Sequence, residues 1–216
     1  WSVYQANQSA EPYQPTAIQI AERSLKNTAL SYLMLLETDE ALQACWQQFE
    51  QSGNMTDVIT AFASLLNSPF EEEKAKAINA FYQRWQHEAL VVNQWFMVQA
   101  TCTRPGNLQR VQELMLHPAF DIKNPNKVRA VIGAFCGQNA VNFHQVDGEG
   151  YRFLADQIIK LNALNPQVAS RLLGPLTKWK TYTKASADLM KAELERIKAE
   201  PNLSSDVYEV VTKSLA

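Results

Sequence analysis

The first pair of side chains that invites a reaction is His87-Glu88. The pattern H-E-x-x-H sets two imidazoles one helical turn apart on a zinc ion, with the glutamate as general base. The second imidazole would stand at position 91, which is Val91, so the pattern fails and His87 reads as an ordinary surface or cap residue. His117 precedes Pro118 at a predicted helix end, where an imidazole suits the negative end of the dipole. His144 falls in a predicted loop, and three histidines without a close cysteine or carboxylate partner make no metal site. The nearest approach to a nucleophile in a glycine turn is Gly133-Ala-Phe-Cys-Gly137, where Cys136 reads as a small apolar packing residue. Asp147-Gly148-Glu149-Gly150 offers two carboxylates, whereas a calcium loop needs more oxygens, so it reads as a capped loop leading into a helix at Tyr151.

Arg129 and Arg171 differ in kind. Asn124-Pro-Asn-Lys-Val-Arg129 and Asn165-Pro-Gln-Val-Ala-Ser-Arg171 are two Asn-Pro helix starts, each with an arginine one to two turns in. Guanidinium groups on related faces of two repeats could take a carboxylate bidentately. The alternative is that each arginine makes a surface or inter-repeat ion pair. The offsets of five and six residues from the asparagines differ by one. On an ideal helix that rotates the second arginine by about 100°, so convergence requires the helices to differ in roll or starting residue.

The elements that would position these groups are helices. Only 7 of 216 residues are glycine, which disfavours a turn-rich β fold. Apolar residues recur at steps of three, four and seven after Thr16: Ile18, Leu25, Ala29, Tyr32, Leu33 and Leu36. Thr38, Asn54 or Thr56, Ser68-Pro69, Pro105, Asn124-Pro125, Asp147 and Asn165-Pro166 open further helices, and the last two span about 183–199 and 204–215. No stretch alternates long enough for a strand. The two Asn-Pro starts lie 41 residues apart, positions 124 and 165, within the ~40–47 of armadillo or HEAT-type repeats. Short connections favour an all-α, armadillo/HEAT-like superhelix of antiparallel helix pairs over a four-helix bundle. Residues 1–15, with Pro12 and Pro15 and no apolar period, read as an extended lead-in, and 16–216 as the helical-repeat domain.

Composition narrows the function. Lys+Arg at 20 against Asp+Glu at 22 gives a net charge of −2, without the basic excess of a nucleic-acid binder. No apolar run reaches the ~18–20 residues of a membrane span. Three widely spaced cysteines, Cys45, Cys102 and Cys136, make no disulfide framework and point to a reducing, cytoplasmic compartment. The opening Trp1-Ser-Val-Tyr is expected to be cut from something longer, which would leave an apolar face of the first helix (Leu25, Tyr32, Leu33, Leu36) unpartnered or covered by a second copy of the chain.

Several stretches resemble one family: Asn54-Met-Thr-Asp57, Asn124 to Arg129, Ile132-Gly-Ala-Phe135, Asp147 to Tyr151, Asn165 to Arg171 and Asn202-Leu-Ser-Ser-Asp-Val-Tyr-Glu209. From about Ala41 to Ala216 the chain is similar to the C-terminal helical domain of bacterial aminopeptidase N, a zinc-dependent alanyl aminopeptidase. That family carries zinc on H-E-x-x-H with a downstream Glu and anchors the substrate amine through G-x-M-E-N; neither occurs here. The resemblance therefore implies that zinc and catalysis belong to an upstream catalytic domain, with no catalytic or metal residue in this chain. It further implies a domain that caps the active-site cavity, with Arg129, Gln167 and Arg171 facing the peptide substrate. A free-standing scaffold binding a protein partner on a concave face is the competing expectation.

Overall fold

After a five-residue α1 (Ser2–Ala6), short polar side chains fix where most helices begin. The computed structural model describes residues 1–9 and 11–216. Thr16 and Thr38 accept from the Gln19 and Ala41 amides and open α2 (Ala17–Met34) and α3 (Asp39–Gln51). Asn54 accepts from the Asp57 amide and opens α4 (Met55–Leu66). Then follow α5 (Glu71–Trp85), α6 (Ala89–Ala100) and α7 (Asn107–Met115). Asn124 caps α8 (Pro125–Val128), with proline at the first helical position, where its missing N–H costs nothing.

The helix then continues through a π turn, Arg129–Gly133, in which the Ala134 amide reaches back to the Arg129 carbonyl. It ends as α9 (Ala134–Gln138). α10 (Ala140–Phe143) and α11 (Glu149–Asn162) follow. Asn165 caps α12 (Pro166–Leu172) as Asn124 caps α8, and α13 (Gly174–Thr177), α14 (Lys184–Lys198) and α15 (Ser205–Leu215) complete the chain. The regular structure is helical throughout; no strand occurs among the described residues.

The chain divides into two compact units, Trp1–Val98 and Gln99–Ala216, with the division in the last turn of α6. In the first unit α4 packs on α2, α3 and α5. Its centre is aromatic: Phe62 and Phe81 are both fully buried, with ring centroids 4.6 Å apart, and Phe49 lies beside them. In the second unit α11 packs on α12 and α14, and α15 packs on both of those helices.

Four expectations need correction. The first residues are helical rather than extended: five residues are too few to hold a helix alone, but Tyr4 is buried and its hydroxyl reaches the Gln48 amide oxygen at 3.4 Å. Ser68 does not cap α5. Its hydroxyl donates to the Leu65 carbonyl at 2.7 Å and so finishes α4, leaving α5 to begin after Phe70. Asp147 assists rather than occupies the N-cap of α11; Gly148, at φ 70°, takes that position while the Asp147 carboxylate accepts from the Glu149 amide at 3.0 Å. Along α2, Leu33 is buried, whereas Ile18, Leu25, Tyr32 and Leu36 are exposed. The buried face of α2 runs through Lys26, Asn27, Leu30, Leu33 and Met34 instead.

Candidate functional site

None of the classical reactive arrangements forms. His87 lies in the turn between α5 and α6 and Val91 on α6, so His87-Glu88 is not even helical. His117 Nδ1 accepts from the Ala119 amide at 3.1 Å, closing a turn, and burial holds its imidazole below the usual range. His144 stands between two tyrosine hydroxyls, Tyr151 at 2.9 Å from Nδ1 and Tyr182 at 3.1 Å from Nε2, with burial again lowering its pKa. All three cysteines are free and buried. Burial pushes the Cys45 thiol up to about 12 and raises Cys136 too, which suits packing rather than nucleophilic attack. Among the described residues no group of three or more His, Cys, Asp or Glu side chains could hold a metal ion. The donors of this chain do not fit zinc, and no step is routed through it here.

Arg129 and Arg171 do come together. Both line one cavity of about 310 Å³ in the second unit, walled by Val168, Leu172 and Pro175. Their helices start in the same register, Asn as N-cap and Pro next. Different packing supplies the difference in roll: α12 lies against α11 and α15, whereas the 125–138 run lies against α7 and α13. Arg129 donates to the Asn126 side-chain oxygen at 2.5 Å, which holds its guanidinium back over its own helix start. Neither arginine has a carboxylate within 4.0 Å among the described residues, so the ion-pair alternative has no partner here. Both side chains are exposed. Two uncompensated cations at one cavity make an anion-receptive site. Gln167 is exposed but does not line the cavity, so the structure unites the two arginines and leaves the glutamine outside.

Sequence reasoning missed a second polar centre, in the first unit. Lys26 Nζ and Asp57 Oδ2 form a buried ion pair at 2.6 Å. Asn27 donates to the other Asp57 oxygen at 2.8 Å, Asn54 donates to Oδ2 at 2.9 Å, and Gln48 donates to Asn27 at 2.7 Å. This network floors a polar cleft of about 740 Å³. A signal was present: Lys26 stands four and seven residues before Leu30 and Leu33, on the core stripe of α2.

Fold and cavity together define a class, an all-α ARM-type repeat domain that presents an anion-receptive cavity. Over residues 1–216 the chain matches the family described as "Domain of unknown function (DUF3458_C) ARM repeats", and it belongs to that family. Aminopeptidase N of Escherichia coli (strain K12) is 39% identical over 215 residues, covering 100% of this chain and 24% of that protein. Aminopeptidase N of Caulobacter vibrioides is 39% identical over 199 residues, covering 92% of this chain and 23% of that protein. Among solved structures, Legionella pneumophila aminopeptidase A in complex with aspartic acid aligns at a TM-score of 0.89 and 32% identity, over 99% of this chain and 26% of that one. The chain thus spans about a quarter of the length of these relatives and is homologous to their C-terminal domain. No helix among the described residues is long and apolar enough to cross a membrane.

Proposed function

We propose that this chain is the C-terminal, non-catalytic domain of a cytoplasmic zinc metallo-aminopeptidase. In that enzyme it caps the active-site cavity, restricts access to unfolded peptides and holds the carboxyl-terminal side of the substrate. The parent's zinc, and the water it activates against the first peptide carbonyl, belong to the upstream catalytic domain. The exposed apolar stripe of α2 is the face we assign to contact with the rest of the parent chain, a second copy of this chain being the alternative cover. The observation that carries the reading is the pair Arg129 and Arg171, which line one cavity without a carboxylate partner. Gln167, exposed one turn before Arg171, is the third residue assigned to peptide contact.

Replacing Arg129 or Arg171 by alanine in the full-length enzyme should raise KM for short free-acid peptides. The expected factor is about tenfold, the worth of one exposed charge-assisted contact. kcat should stay close to unchanged, because the contact is made equally in ground and transition states. Peptides amidated at the carboxyl terminus should barely respond. Equal losses for acid and amide substrates would remove the carboxylate role.

The 216-residue chain alone should be inactive on an alanine chromogenic amide and should hold no stoichiometric zinc after purification. Metal analysis and an activity profile across the chromatographic peak test both. Turnover that follows the protein peak and is lost with a chelator would place catalysis within this chain and overturn the assignment.

A further inference from the structure

Anchoring a carboxylate accounts for the arginine rim of the cavity but not for its wall, which is apolar. Val168 and Leu172 on α12 and Pro175 on α13 line it, and a carboxylate has no use for such a surface. The opposite side is α9, and there the chain places Gly137. A Cβ added at Gly137 meets no atom within 4 Å, and its φ is not in the left-handed region. Neither backbone conformation nor close packing therefore calls for glycine, although glycine within a helix costs roughly 0.5–1 kcal/mol relative to alanine. What the missing side chain does provide is room in the cavity.

We infer that the cavity beneath Arg129 and Arg171 is a subsite for the side chain of the peptide's carboxyl-terminal residue. It takes an apolar side chain of leucine or methionine size, laid against Val168, Leu172 and Pro175, with Gly137 keeping the space open. The inference rests on the carboxylate reading above: the terminal carboxylate sits on the arginines, and the side chain on the same residue drops into the cavity below. A volume of about 310 Å³ is at the lower end of ligand pockets, ~300–1,000 Å³, which suits one residue rather than a longer segment. Charge and polarity are complementary in order, cationic at the rim and apolar at depth, so the two parts of one C-terminal residue are recognised separately.

The test uses the 216-residue chain, 15N-labelled, with the Gly133 amide as reporter. Three peptides are titrated: acetyl-Ala-Ala-Leu as free acid, acetyl-Ala-Ala-Gly as free acid, and acetyl-Ala-Ala-Leu amide. The leucine acid should bind about tenfold more tightly than the glycine acid, as expected from burying much of one leucine side chain. Gly137→Leu should abolish that difference while leaving the glycine acid unchanged. Gly137→Ala, which fills less of the space, should reduce it partway. Both variants place a better helix former in open space, so circular dichroism should show folding retained. Equal binding of the two acids by the unsubstituted chain, or a leucine preference that survives Gly137→Leu, overturns the subsite. If the amide still binds more weakly in that case, the carboxylate anchor stands without it. An amide that binds as tightly as the leucine acid, or the absence of any shift with all three peptides, removes the anchor and the subsite together.

Discussion

Replacing Asp57 by alanine should lower the unfolding free energy by about 3–5 kcal/mol, the cost of breaking a buried ion pair from one side. Asp57 is 3% exposed and Lys26 is 7% exposed, so water cannot easily take over the ammonium that loses its partner. The loss extends beyond one contact, because the same carboxylate also accepts from Asn27 and Asn54. Three donors are left without an acceptor. Urea unfolding followed by tryptophan fluorescence reads the change. The double variant Lys26→Met with Asp57→Asn should recover a good part of it, since no charge is then stranded and the amides keep a partner. A loss below about 1 kcal/mol in Asp57→Ala would show that the pair behaves as an exposed one.

Gly150→Ala should be nearly as damaging, by about 3 kcal/mol, through overpacking against a group that cannot rotate away. A Cβ at Gly150 would lie 2.3 Å from the Phe143 carbonyl oxygen and 3.0 Å from its carbonyl carbon. These are backbone atoms, so relief requires α10 and α11 to separate. That separation would also pull Tyr151 away from His144, which is bonded to its hydroxyl at 2.9 Å. Thermal unfolding should fall, and the His144 ring resonances should shift with it. Gly137→Ala is the matched control: the same change, in open space, should stabilise by roughly 0.5–1 kcal/mol. A Gly150→Ala variant as stable as the unsubstituted chain would mean that the helix pair adjusts without strain.

Much of the helix map was legible because its determinants are local. Thr16, Thr38, Asn54, Asn124, Asn165 and Ser204 each cap the helix that follows, as their residue types suggest. The misses have non-local causes. Ser68 carries every mark of a helix start, yet its hydroxyl finds the Leu65 carbonyl behind it before any amide ahead. α1 exists because Tyr4 is anchored on Gln48, forty-four residues away, and nothing within the first fifteen residues announces that. The apolar spacing of α2 selects a stripe through Leu25 and Tyr32, while the helix buries the neighbouring stripe that contains Lys26 and Asn27. Hydrophobic periodicity cannot see a core face whose polar members satisfy one another. At the candidate site the two arginines were legible from the repeated Asn-Pro starts. Their convergence was not, because spacing alone sets them about 100° apart and only the packing of α12 against α11 and α15 resolves it.

The π turn over Arg129–Gly133 is an α-helix with one residue too many. Its geometry is therefore specified by a count as well as by chemistry. Exchanging Ala130 or Val131 for other residues of similar volume keeps the count and with it the angular relation between Arg129 and Gly137. Deleting a single residue would let the segment relax to a regular helix and swing everything beyond it by about 100° relative to Arg129. In the language of insertions and deletions, substitutions drift freely along this face of the cavity, while a change of length there is a change of architecture.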